Sequence, residues 1–177
     1  MLVPACGGVY PQPLTCGAEN ANALILMAQA VPSATLVPCI AEFPSGWSYG
    51  GSRIGSGSAQ FFLNSDRAGL NALEITLTGS CDVSNAIEVT AGVAAFPGVR
   101  VYEEPISLPP TFQVNRYLRF AGGCVTNRFR FATGASATLA LEAQQALSFV
   151  SRSVLVEQVK EETGLSLCGA EAPPCPG

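Results

Sequence analysis

Seven cysteines, at positions 6, 16, 39, 81, 124, 168 and 175, are dispersed along the 177 residues without a C-x-x-C pair, and the chain has no histidine. Zinc sites draw on closely spaced Cys and His ligands, so this pattern argues against a metal centre. It argues instead for disulfides formed in an oxidising compartment, outside the cytoplasm. The competing reading is a set of buried apolar thiols in a cytosolic protein; the turn-rich flanks of these cysteines favour disulfides. Cys16, Cys39, Cys81, Cys124, Cys168 and Cys175 are the proposed staples, and their connectivity is open. Cys81 and Cys124 each follow a strand and a glycine-bearing turn, which makes them the preferred pair.

Cys6 is the odd residue. The run Leu2-Val3-Pro4-Ala5-Cys6-Gly7-Gly8 reads like the tail of a bacterial export signal entering a processing or lipidation site, with Met1 as the start of a truncated chain. Two roles for Cys6 stay open: a lipid anchor, or a disulfide to Cys16 that closes a Pro-rich loop. No apolar run reaches the roughly twenty residues of a membrane-spanning helix; the strongest, 23–31, stops at Pro32.

The missing histidine removes Ser-His-Asp and Cys-His nucleophiles. No phosphate-cradling glycine motif precedes a helix, and the Gly/Ser stretch at 50–58 lies between strand signals, so no nucleotide or other cofactor is expected. Thirteen acids outnumber nine bases, for a net charge of -4, which argues against nucleic acid as a partner. Eight of those bases are Arg, and with abundant Ala, Gly and Val this points to a high-GC bacterial source.

Three zones follow from composition: an irregular Pro/Gly/Cys arm over 1–18, a single globular domain over 19–168 and a Pro-rich tail over 169–177, held by its cysteines. Within the domain, Asn20 or Asn22 caps a short helix that is apolar nearly all round and ends before Pro32. A hairpin over 47–66 turns at Gly55-Ser56-Gly57. Residues 73–78 alternate, with Leu73, Ile75 and Leu77 on the dry face and Glu74, Thr76 and Thr78 on the wet one. Another strand spans 99–102 before Pro105 and Pro109-Pro110 break the chain.

The clearest hairpin joins 115–120 to 125–131. With Gly122-Gly123 as the turn, Arg119 faces Thr126, Tyr117 faces Arg128 and Asn115 faces Arg130, while Leu118, Phe120, Val125, Phe129 and Phe131 share the core face. Two helices follow, over 136–149 and from a Ser151 or Ser153 cap to Gly164, with Leu165 making the apolar contact at its C-terminus. The expected class is α+β: an antiparallel sheet of about five or six strands with helices on one face, stapled by disulfides.

Two surfaces attract a binding role. Tyr117, Arg119, Thr126, Arg128 and Arg130 form a basic, partly aromatic face suited to anionic glycans or an acidic loop of an envelope protein. Pairing with Glu103 and Glu104 on the neighbouring strand is the plainer reading. Trp47 and Tyr49, among glycines, could stack a sugar, although a lone Trp in a strand is more often core. Catalysis retains one route, a carboxylate pair drawn from Asp66, Glu74, Asp82, Glu103 and Glu104, set against the simpler view of them as solvated acids.

The segments Phe62-Leu63-Asn64-Ser65-Asp66-Arg67-Ala68-Gly69, Gly122-Gly123-Cys124-Val125-Thr126 and Thr163-Gly164-Leu165-Ser166-Leu167-Cys168-Gly169 resemble uncharacterised exported or membrane-anchored proteins of high-GC Gram-positive bacteria. The resemblance spans about residues 30–170 and implies an extracytoplasmic location, secreted or anchored to the outer face of the cytoplasmic membrane. It assigns no activity. The leading expectation is a non-enzymatic envelope module that binds a protein or glycan; the alternatives are a carboxylate-dependent envelope hydrolase or lyase and a purely structural surface module.

Overall fold

The computed structural model describes residues 13–17, 21–90, 96–170 and 172–175, and Cys6 lies outside them. The chain runs α1 (Ala21–Ala30), β1 (Leu36–Ile40), β2 (Trp47–Gly55), β3 (Ser58–Ser65), β4 (Gly69–Thr78), β5 (Ile87–Glu88), β6 (Arg100–Ser107), β7 (Gln113–Phe120), β8 (Gly123–Arg130), α2 (Leu139–Gln145), β9 (Leu147–Ser151) and α3 (Arg152–Thr163). Seven strands make one antiparallel sheet in the order β2-β3-β4-β8-β7-β6-β5, larger than the five or six expected. The additional strand is β5, whose two residues carry too little pattern to be read from sequence.

The order records two meanders. β2-β3-β4 builds half the sheet; the chain then crosses to the far edge and returns as β5-β6-β7-β8, so that β8 pairs with β4. Cys81 bonds Cys124, the preferred pair, and ties the start of the crossover to the start of β8, the last strand of the returning meander. Alternation fixes the faces: Phe61 and Leu63 of β3, Leu73, Ile75 and Leu77 of β4, and Val125 and Phe129 of β8 are all buried on one side, hereafter the inner face. Thr76, expected on a wet face, is also buried, between Gln60 and Thr126 on the flanking strands.

β1 and β9 form a separate antiparallel ribbon, with Leu36 opposite Ser151 and Ile40 opposite Leu147. This overturns the helix expected through 149. Apolar spacing at 139, 143 and 147 suits a helix, but Leu147-Ser148-Phe149-Val150-Ser151 is also a good strand, and the waiting edge of β1 decides for strand. β6 likewise runs through Pro105, where a β-bulge opposite β7 and the shortness of β5 leave no ladder bond for the proline to lose.

α1 buries Leu24, Met27 and Ala28 and contacts β1, β2, β3 and α3. Asn22 lies inside it as an exposed second residue and not as a cap, and Asn20 is outside the described residues. In α3, Ser151 occupies the N-cap, but its hydroxyl meets that of Ser153 at 2.9 Å in place of a backbone N–H. Gly164 closes α3 in the left-handed conformation at φ 70°, as expected. Leu165, however, is 67 % exposed, and Leu167 is the residue that turns inward.

Cys16 bonds Cys39 and so fastens the N-terminal arm to β1, which rules out a Cys6–Cys16 bond. Cys168 bonds Cys175, but the tail is held by more than this: Gly169 N–H donates to Pro173 O at 2.9 Å and Ala170 N–H to Pro32 O at 2.8 Å. Arg152, fully buried, donates to the carbonyls of Ala28 at 2.7 Å and Cys168, joining the end of α1, the start of α3 and the tail loop.

Two stability outcomes follow. Arg152→Met deprives at least two buried carbonyls of their donor, each worth about 1–3 kcal/mol, so urea unfolding should show a loss of about 3 kcal/mol. Replacing both Cys81 and Cys124 by Ala releases a loop with a sequence separation of 43, which chain entropy values at about 4 kcal/mol in the same measurement.

Candidate functional site

The β7–β8 hairpin shapes both faces of the sheet. Its loop is Ala121-Gly122, with Phe120 opposite Gly123, so Arg119 faces Cys124, Tyr117 faces Thr126, Asn115 faces Arg128 and Gln113 faces Arg130. The register is thus shifted by two residues from the expected one, and because side chains alternate with period two, each keeps its face. Gly122 sets the loop: it has φ 69°, and a Cβ there would lie 1.8 Å from Ser33 O, while Thr35 N–H and its hydroxyl both donate to Ala121 O.

On the outer face Arg128 and Tyr117 are engaged by carboxylates of the flanking strands. Arg128 pairs with Glu74 at 2.9 Å across β4. Tyr117 donates its hydroxyl to Glu104 at 2.6 Å, and Asn115 Nδ2 donates to the same carboxylate at 3.1 Å. The Arg119 and Arg100 guanidiniums lie over the Tyr102 ring, 6.0 and 5.6 Å from its centre, and Arg100 grips Glu88 with two bonds. Thr126 is buried and offers no surface. Arg119 and Arg130 are exposed and make no ion pair among the described residues. The face is charge-alternating and not a basic patch.

Trp47 is buried, with its ring 6.4 Å from that of Phe131, and belongs to the core and not to a sugar platform. Tyr49 is half-buried, and burial raises the pKa of its phenol against the opposing effect of Ser52. The carboxylates are dispersed over partners: Asp66 faces Arg67, Glu74 holds Arg128, Glu103 holds Arg116, and Asp82 accepts from Ser84 N–H at 2.9 Å. Ser84 holds Asp82 below its usual range, and Tyr117, then Asn115, do the same for Glu104. A general acid in a glycosidase needs the opposite shift.

The inner face holds the more developed site. One row across the sheet reads Phe61, Ile75, Asn127, Arg116, Glu103, and it changes from apolar to polar at the central strand, β8. Arg116 is 9 % exposed; its Nε donates to Glu103 at 2.7 Å, its Nη2 also contacts Glu103, and its Nη1 donates to Gln144 of α2. Asn127 is 4 % exposed, and its Oδ1 is buried without a hydrogen-bond partner among the described residues. Above this row, α2 and β9 leave a cleft of about 450 Å³ whose apolar wall is formed by Leu118, Val125, Leu141, Leu147 and Phe149, together with Phe96. Leu141, on the rim, is 59 % exposed.

None of the polar residues of this cleft was singled out from sequence. A signal existed: Val114-x-Arg116-x-Leu118 and Val125-x-Asn127-x-Phe129 each place a polar side chain at the core parity of a strand. A second hollow, of about 480 Å³, lies on the outer face between Gly50, Gly51, Arg53, Asn71 and Arg130. No group of three or more metal-ligating side chains occurs among the described residues.

No protein-family model matches the chain, and no curated protein matches it. A solved structure of a protein from Bacteroides thetaiotaomicron VPI-5482 is similar over 76 % of this chain, with 15 % identity and a TM-score of 0.35. The chain spans 61 % of that protein's length, and a likeness this distant carries no argument.

The outer-face pairing has a titration signature. Because its folded pKa lies below the unfolded one, Glu104 contributes stability that is present above the ordinary carboxylate range and lost as pH falls through the folded value. Burial, then the bond to Glu104, raises the Tyr117 pKa, so stability falls at the alkaline end, as pH rises through the interval between the unfolded and folded phenol values. Tyr117→Phe removes the main cause at Glu104. Its carboxyl carbon resonance should then titrate at higher pH, and an unmoved midpoint would contradict the pairing.

Proposed function

We propose that this chain is a non-enzymatic binding module of the bacterial cell envelope, secreted or anchored by lipid at Cys6, and that its ligand enters the inner cleft. Three disulfides in one small domain fit an oxidising compartment. Among the described residues no helix is long and apolar enough to cross a membrane. The resemblance to exported proteins of high-GC Gram-positive bacteria supports the same location.

The observation that carries the binding reading is the cleft itself. Ligand sites are concave and mostly apolar, with a few convergent polar groups, and this one sets Arg116, Asn127 and Gln144 against a wall of Leu, Val and Phe. Its volume lies in the range of small-ligand pockets, about 300–1,000 Å³. The outer face supports glycan binding less well, because Arg128 is paired with Glu74 and the Tyr117 hydroxyl is donated to Glu104. The carboxylate-dependent enzyme draws little support from acids that sit with separate partners.

The fluorescence of the neutral dye N-phenyl-1-naphthylamine tests the location. The folded, oxidised protein should bind the dye. Leu141→Ser, which strips apolar surface from the exposed rim of the cleft, should weaken binding severalfold with an unchanged melting temperature, and Arg128→Ala with Arg130→Ala should leave it unaltered. The reverse outcome would move the site to the outer face and overturn the proposal.

A further inference from the structure

Asn127 is the residue for which neither the fold nor the outer surface has a use. It stands between Ile75 on β4 and Arg116 on β7, in a position whose neighbours along β8 are Val125 and Phe129. A buried polar atom with no partner destabilises a protein, and native structures hold few of them. Leucine would fit the pattern of the strand and remove that penalty. A carboxamide kept here at the wall of the cleft is explained by a group that arrives from outside the chain.

The charges beside it narrow the chemistry of that group. Among the described residues Arg116 is the one cation lining the cleft, and Glu103 and Gln144 occupy its guanidinium from two sides. An anionic head would compete with Glu103 for the guanidinium and crowd that carboxylate, at a cost that a neutral head avoids. A cationic head would meet Arg116. The carboxamide of Asn127 exchanges Oδ1 and Nδ2 by a half-turn about its Cβ–Cγ bond, so it can offer either an acceptor or a donor. A ligand amide carries both complements.

We infer that the inner cleft binds a neutral amide attached to an apolar chain, with the amide hydrogen-bonded to Asn127 and the chain lying along Leu118, Val125, Leu141 and Phe149. This rests on the cleft being the binding site, as proposed above. Two sources share the chemistry, a fatty acyl amide and a peptide group flanked by leucine-like side chains.

Nitrogen-15 NMR titration of the oxidised protein tests it with octanamide, octanoate and octylammonium, which share one chain, and with N-acetyl-leucyl-leucine amide as the peptide arm. Octanamide or the peptide should bind about tenfold more tightly than octanoate and octylammonium, and should shift the Asn127 side-chain amide signals. The tighter of the two identifies the source. Asn127→Leu should raise the melting temperature of the free protein while weakening the amide ligand about tenfold. If octanoate or octylammonium binds as tightly as the amides, the head-group inference fails and the cleft stands. If none of the four probes binds, the cleft reading fails with it. A lowered melting temperature in Asn127→Leu, or Asn127 signals that stay fixed while ligand binds, would show that the side chain serves the fold or holds water, and would overturn the inference.

Discussion

The buried guanidinium of Arg152 is the interaction on which the arrangement of the chain ends depends. Its partners include carbonyls at the C-terminal end of α1, where the helix leaves backbone acceptors unmet and the dipole is negative, and the carbonyl of Cys168. A positive charge so placed satisfies acceptors that would otherwise be buried and empty. The same residue's backbone N–H donates to Thr35 O at 2.8 Å, just before β1. One residue therefore fixes α1, β1, α3 and the tail loop relative to one another. Gly169 completes the fit, since at φ 113° a Cβ would come within 2.4 Å of Pro32 O and 2.9 Å of the guanidinium.

What Arg152 fixes in turn sets the cleft. β9 ends at Ser151, the residue before it, and pairs with β1, so the line of the ribbon over the sheet follows from the anchor at its end. The hairpin tip is seated independently, through Ala121 on Thr35 and through Gly122, which leaves no room for a side chain against Ser33. Leu118 and Val125 come from the hairpin, and Leu147 and Phe149 from the ribbon. The two walls of the cleft are thus held by separate contacts to the same short segment, 33–35, and the distance between them is a property of the fold and not of the side chains that line it.

Much of this organisation could be read from sequence where the pattern is local. Alternation at 73–78 placed Leu73, Ile75 and Leu77 on the buried face, the glycine at 164 closed α3, and turn context paired Cys81 with Cys124. What stayed hidden depends on partners distant in the chain. Leu147–Ser151 becomes a strand because β1 offers an edge more than a hundred residues upstream, as the pairing of Leu36 with Ser151 shows. Arg152, on a helix whose surroundings read as polar, gives no local sign that it will be engulfed. The basic face at 117–130 was legible as a set of residues, but the pairing of Arg128 with Glu74 and of Tyr117 with Glu104 depends on which strands flank the hairpin.

The same distinction explains why charge count misdirects and parity does not. Arg128 and Arg116 are both arginines on strands with a carboxylate opposite, and by composition they are equal. Arg128 lies on the half-exposed face, where a salt bridge to Glu74 contributes little and yields to solvent. Arg116 lies on the inner face, where its bonds to Glu103 and Gln144 are made at low exposure and join β6, β7 and α2. Strand parity alone separates the two, and it is the same parity that sets Asn127 beside Arg116. A polar pair at core parity in adjacent strands is therefore a stronger pointer to a site in a sheet of this kind than a row of arginines on its open face, because only the buried pair carries a desolvation cost that some further contact has to offset.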